Sequence, residues 1–291
     1  MNTRLSLSVL SGLVLATGLF AQADQIEFPA PSPAASFKQR VGITDVSVEY
    51  SRPSMRGREI FGGLVPYGEV WRTGANSATK ITFSTDVKLG GADVAAGTYA
   101  LFTIPGKTEW TVILNNVTDQ WGSYSYSAEN NVVRVTAKPV ALPNPIETFS
   151  IGVSNLSAEG SATMYLMWEK VRVPVTIETD LAGMLVPKIE ALMASDAEKK
   201  PYFQAAMFYY ESGLDLDKAL EWMNAAIAAN PGQMWMIYRK GLILAKKGDK
   251  AGAIAAANES LDLIKNSPPN IPAELKAEYT RLNNTLIESL K

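Results

Sequence analysis

Val171–Leu192 reads VRVPVTIETDLAGMLVPKIEAL, and its hydrophobic period changes half-way along. Up to Glu178 apolar and polar residues alternate, as in a strand with one buried face. From there Leu181, Met184, Leu185, Ile189 and Leu192 recur at helical spacing, behind an Asp180 positioned to cap the first turn. Pro187 predicts a kink or a restart in that helix. The chain is therefore expected to be strand-built before Thr179 and helical after it.

Upstream, the period of two holds from Ser36. Val41–Tyr50 reads as one or two strands, and Thr79–Ser84 alternates. Val87–Val94 has the form of a hairpin turned at Gly90-Gly91, and Pro105-Gly106-Lys107 separates Thr98–Ile104 from Glu109–Leu114. Asn131–Ala137, Glu147–Val153, Thr163–Trp168 and Val171–Glu178 complete eight or nine short strands. Turns at this spacing predict an antiparallel all-β sandwich, immunoglobulin-like or jelly-roll-like, over 36–179. Before it, Pro29, Pro31 and Pro33 mark 24–35 as an extended Pro-rich leader.

Downstream, 180–291 is predicted to be an all-α domain of tetratricopeptide type. Helix pairs are expected at Tyr202–Ser212 with Asp217–Ala229, and at Met234–Lys247 with Lys250–Lys265, before a last helix at Ala273–Leu290. Asn230-Pro231-Gly232 and Gly248-Asp249 are stop signals. Gly213 lies 35 residues before Gly248 and Ala219 lies 34 before Ala253, close to the tetratricopeptide period. Two such units cannot bury their faces alone, so the leading and trailing helices are expected to cap them. The positions that face a peptide groove in such repeats hold Phe203, Met207, Tyr210, Trp235, Tyr238 and Leu242. They are read either as a groove for a protein or peptide partner or as a stripe buried by neighbouring helices.

The N-terminus, 1–23, reads as a signal peptide. Arg4 precedes an apolar run from Leu5 to Phe20, and Ala21-Gln22-Ala23 offers a cleavage site before Asp24. Periplasmic or secreted localisation is the expectation. Serines, threonine and glycines dilute the run below what a membrane span needs, and no later segment is long and apolar enough to be an integral membrane segment. With 27 basic and 29 acidic residues, the charge balance points to neither nucleic acid nor anionic membrane as a partner. The chain has no Cys and no His, which removes disulfides, thiolate and imidazole catalysis, and Cys- or His-ligated metals. No cofactor and no metal site is predicted.

Chemistry is concentrated between Ser51 and Ala78, where neither period holds. The segment has four of the chain's ten arginines, Arg52, Arg56, Arg58 and Arg72, and none of its seventeen lysines. A guanidinium offers a planar fork to carboxylate, phosphate or sulfate and stacks on rings. Tyr67, Trp71 and Asn76 accompany the arginines, and Trp121 and Tyr124 belong to a second aromatic loop. The segment is read either as a pocket for an anionic or sugar-like ligand or as a cover pinned by arginine pairs to Glu49, Glu59 and Glu69. Ser77-Ala78-Thr79-Lys80 matches the S-x-x-K pattern of serine acyl-enzymes but runs into a strand where that motif must open a helix. Asp215 and Asp217 fall in a helix–helix turn, where N-capping explains them better than calcium. No phosphate-binding or dinucleotide fingerprint is present.

The stretches YSRPSMRGREIFGGLVPYGEVWRTGAN (50–76), AGTYALFTIPGKTEWTVILN (96–115), TDQWGSYSY (118–126) and ETFSIGVSNL (147–156) resemble a secreted bacterial family, domain of unknown function 2911. The likeness runs to about Glu178. It implies export and a β domain followed by a helical repeat, and it brings no activity, cofactor or catalytic residue. The expected function is a non-catalytic binding or scaffold protein using the arginine-rich segment. The alternative is a carboxylate-dependent hydrolase, for instance acting on glycans, built on Glu59 or Glu69.

Overall fold

A computed structural model describes residues 28–291; the signal peptide expected over 1–23 lies outside the described residues. The strands are β1 Ala34–Val41, β2 Thr44–Ser51, β3 Thr79–Phe83, β4 Val87–Leu89, β5 Ala92–Val94, β6 Gly97–Ile104, β7 Trp110–Asn115, β8 Asn131–Ala137, β9 Val140–Ser154 and β10 Ser161–Glu178. They form two antiparallel sheets, in the orders β1-β2-β3-β6-β7-β8 and β5-β4-β10-β9. Alternation explains the layering. Val46, Val48 and Tyr50 of β2 and Trp110, Val112 and Leu114 of β7 share one core with Met164, Leu166 and Trp168 of β10. Full burial of each such side chain stabilises the fold by about 1.5–3 kcal/mol.

Strand boundaries differ from the expectation at the leader, in β9 and in β10. The predicted leader over 24–35 ends early, because Ala34 and Ala35 already pair with Ser51 and Tyr50. The run Val41–Tyr50, read as one or two strands, is divided between β1 and β2: Val41 pairs with Thr44 across a two-residue loop in which Gly42 takes φ 57°. Thr163–Trp168 and Val171–Glu178 belong to a single strand, β10. Its buried set is Ala162, Met164, Leu166 and Trp168, then Val173, Val175 and Ile177, so the alternation slips by one residue. The register shift flanks Glu169, whose φ is 52°. A bulge of this kind reverses which side chains face the core. β9 likewise starts before its predicted limit and carries Pro143 and Pro145, tolerated because it is an edge strand.

The helices are α1 Leu181–Ala194, α2 Tyr202–Glu211, α3 Leu216–Ala229, α4 Met234–Lys247, α5 Lys250–Lys265 and α6 Ala273–Ser289. Asp180, Asp215 and Asp249 cap α1, α3 and α5 through backbone amides, and Gly248 ends α4 in the left-handed region at φ 86°. Pro187 lies inside a continuous α1. The face that α1 turns inward is Val186, Ile189 and Met193. Leu192, predicted to be buried, is exposed.

Strands meet helices at a tight corner. Thr179 donates from both its amide and its hydroxyl to the Gly160 carbonyl at 2.9 Å. A Cβ on Gly160 would fall 2.3 Å from Thr179 Oγ1, so that position has no room for a side chain, and one on Gly42 would press on the same oxygen at 3.2 Å. Leu181 is buried beside these glycines.

Candidate functional site

The aperiodic segment after β2 takes its order from β9 and β10. Arg52 donates through Nε to the Phe149 carbonyl at 2.9 Å and through Nη2 to Ser150 Oγ at 2.6 Å. The Met55 amide donates to the Glu147 carbonyl, and the Arg56 amide to Glu147 Oε1. At the β10 bulge, the Glu169 carboxylate accepts from the amides of Ile60 at 3.2 Å and Phe61 at 3.4 Å. Phe61 and Trp71 thereby enter the core. Their rings lie 4.9 Å from Trp110 and 5.1 Å from Phe149 respectively, and Trp71 stacks on Trp168 at 5.8 Å. Each aromatic pair adds about 0.5–1.5 kcal/mol beyond area burial.

Arg52, Arg58 and Arg72 do not make the expected ion pairs with Glu49, Glu59 or Glu69 among the described residues. Arg58 instead donates through Nε to the Met55 carbonyl at 2.9 Å and through Nη2 to that of Ser54 at 2.7 Å. Arg52 and Arg58 are thus engaged internally. Arg72 is different: its Nε is buried and has no hydrogen-bond partner among the described residues.

The turn Trp71-Arg72-Thr73-Gly74-Ala75-Asn76 sets this up. Thr73 is fully buried at φ 54°, an uncommon conformation for a β-branched residue, and costs about 1–3 kcal/mol. It is held by Thr79 Oγ1, which donates to its carbonyl at 2.6 Å, and by a 3.0 Å contact between its hydroxyl and that of Thr103. Trp71 Nε1 donates to the Gly74 carbonyl, which locks the indole inward. Arg72 therefore points away from the core, toward the loop between β7 and β8. A Cβ on Gly122 of that loop would lie in ordinary contact, 3.4 Å, with Arg72 Nη1 and 2.8 Å from the ring of the exposed Tyr124. Gly122 also sits at φ 71° and donates its amide to the Asn76 carbonyl.

Beside this contact opens a cleft of about 440 Å³, lined among others by Arg58, Glu69, Arg72, Asn76, Ser123 and Tyr124, with Trp71 and Trp168 as apolar lining. The volume lies within the range of small-molecule sites. Of the predicted ligand residues, Arg58, Trp71, Arg72, Asn76 and Tyr124 come together here. Arg52, Arg56, Tyr67 and Trp121 are not in the lining. Buried Trp71 offers no free ring face. Tyr67 packs over Gly62, with Lys107 Nζ 5.8 Å from its ring. Asn76 donates through Nδ2 to the Ser32 carbonyl and to Ser51 Oγ.

Sequence reasoning missed the support of the second loop. Asn115 is fully buried. It donates to the Ser127 carbonyl and accepts from the Val117 amide and from Gln120 Nε2. Lys80 pairs with Asp119 at 2.6 Å, and that hydrogen bond holds the Asp119 carboxyl below its ordinary range. A lone asparagine at the end of a strand has no motif or period to single it out. Ser77 and Lys80 flank the start of β3, so the S-x-x-K pattern opens no helix.

In the helical half, the six predicted groove positions are engaged between helices. Phe203 packs edge-on to Trp235 at 4.7 Å, Tyr238 to Tyr279 at 5.8 Å, and Lys246 Nζ lies 4.8 Å from the Tyr210 ring. Met207 belongs to the core shared by α2, α3 and α4, and Leu242 packs against the cluster around Leu286. Among the described residues no cluster of three or more carboxylates is placed to hold a metal ion. No described helix is long and apolar enough to cross a membrane.

Compared with known proteins, residues 32–177 match the family model described as "Protein of unknown function (DUF2911)". No curated protein matches the chain, and no solved structure matches it.

Proposed function

The chain belongs to the DUF2911 family, whose description names no activity, and from that premise we propose an exported, non-catalytic protein that binds an anionic ligand at Arg72. One observation carries the reading: the Arg72 Nε is buried without a partner in the wall of an open cleft. A buried donor left unpaired costs about 1–3 kcal/mol. A carboxylate that shifts the Arg72 side chain enough to open Nε to the cleft recovers that cost with two charge-assisted hydrogen bonds on the guanidinium fork. The backbone strain at Thr73 has the same sense, since strained turns persist where they aim a functional group.

Export rests on the N-terminal pattern of Arg4, the apolar run and Ala21-Gln22-Ala23. N-terminal sequencing of the processed chain is expected to begin at Asp24; an unprocessed Met1 contradicts export by this route. The helical half is assigned a scaffold role, supported by its repeat period. A paired-carboxylate hydrolase is less well supported, because Glu69 lines the cleft and Glu59 does not.

A thermal-shift panel of small carboxylates, phosphates and sulfates tests the binding site. A ligand at 100 times its Kd adds about 2.7 kcal/mol, and each kcal/mol raises Tm by about 2–4 °C at this domain size. At least one anion is expected to stabilise the wild type and to leave Arg72→Ala unmoved. Identical responses across the panel remove the site.

A further inference from the structure

Two large rings stand in water next to the cleft. Trp121 is 66 % exposed and Tyr124 85 % exposed, both on the loop between β7 and β8. The loop holding them is firmly tied. Asn115 grips it from inside, Lys80 clasps Asp119, the Ala78 amide donates to the Gln120 carbonyl, and Ser77 pairs with Trp121 through the backbone. Rings presented on an ordered loop lose little entropy on contact, and their negative faces suit the C–H faces of a sugar ring. Tyr124 lines the cleft, whereas Trp121 lies beyond its lining. An occupant that reaches both is longer than one ring.

The cleft wall limits the chemistry further. Arg72 is its one guanidinium without a hydrogen bond among the described residues, which suits a single carboxylate. Glu69 lies in the same wall, makes no ion pair among the described residues, and repels a densely charged polyanion. Asn76 has committed Nδ2 and offers Oδ1. Two acceptors beside one cationic fork call for a ligand rich in hydroxyl donors. Resting on the Arg72 reading above, we infer that the ligand is an acidic oligosaccharide, with one uronate carboxylate on Arg72 and the adjoining sugar stacked on Trp121.

Isothermal titration on the purified protein separates the two readings. The probes are galacturonic acid, its tetramer, the methyl-esterified tetramer and a poly-glutamate peptide. The tetramer is expected to bind at least about 10-fold more tightly than the monomer, and the ester about 10-fold more weakly than the acid. Trp121→Ala, at an exposed position, is expected to abolish the length gain, so that the tetramer binds no more tightly than the monomer, without lowering Tm. A tetramer no tighter than the monomer, a poly-glutamate peptide as tight as the tetramer, or a length gain that survives Trp121→Ala overturns the oligosaccharide while Arg72 stands. If no acid binds, or Arg72→Ala binds them all as the wild type does, the Arg72 site itself fails.

Discussion

Arg52 and Arg72 stand twenty positions apart in one irregular segment and have opposite fates. Arg52 spends its fork on Phe149 and Ser150, whereas Arg72 keeps a buried Nε free of partners. Replacement by alanine should therefore separate them. Arg52→Ala is expected to lower stability by about 1.5–3 kcal/mol, the worth of hydrogen bonds to a charged group, without changing ligand binding. Arg72→Ala is expected to change stability by less than about 1 kcal/mol and to abolish binding. Urea unfolding of both variants checks this, and a reversed order of stabilities contradicts it. Composition alone singles out the arginine-rich segment. It cannot say which arginine is left over, because the partners of Arg52 lie almost a hundred positions away on β9. Nor does sequence reveal that Trp71 turns inward, which follows from its indole bond to the Gly74 carbonyl and from the conformation of Thr73.

Elements were legible wherever their order is local. α4 and α5 follow their stop signals to the residue, and the Gly90-Gly91 and Pro105-Gly106 turns lie between the strands they were expected to join. Where order depends on distant chain, the pattern misleads. The slip at Glu169 makes one strand read as two, yet that residue also binds the amides of Ile60 and Phe61 and so anchors the irregular segment. In α1 Leu181 and Ile189 turn inward as expected, but Leu192 is exposed and Val186 and Met193 pack inward instead, against the core of α2 and α3. Part of that contact is polar: the Tyr209 hydroxyl donates to Glu190, which also pairs with Lys218. Burial, reinforced by the Glu190 carboxylate, pushes the Tyr209 phenol up to about 12. An unfolded tyrosine titrates near 10, so the folded state favours the protonated form. The associated stability is complete below about pH 10 and is lost as pH rises toward 12. The unfolding midpoint followed at 222 nm is expected to fall over this window in the wild type, and to fall less in Tyr209→Phe. Parallel curves contradict the assignment.

At the scale of the molecule, the change of period near Thr179 divides strands from helices, and the described structure keeps that division. Sheet order was not readable, since β4 pairs with β10 across most of the strand-built half. The same long-range folding makes the cleft, which draws on the segment after β2, the loop after β7 and Trp168 of β10. The same segment thus carries core packing and the proposed binding residue: Phe61 and Trp71 face the core, and Arg72 between Trp71 and Thr73 lines the cleft. The most direct measurement observes the arginine Nε–H groups by 15N-edited NMR during titration with galacturonic acid. One resonance, absent in Arg72→Ala, is expected to shift with saturation while those of Arg52 and Arg58 stay in place. An unmoved Arg72 resonance, or movement confined to the other arginines, would contradict the account.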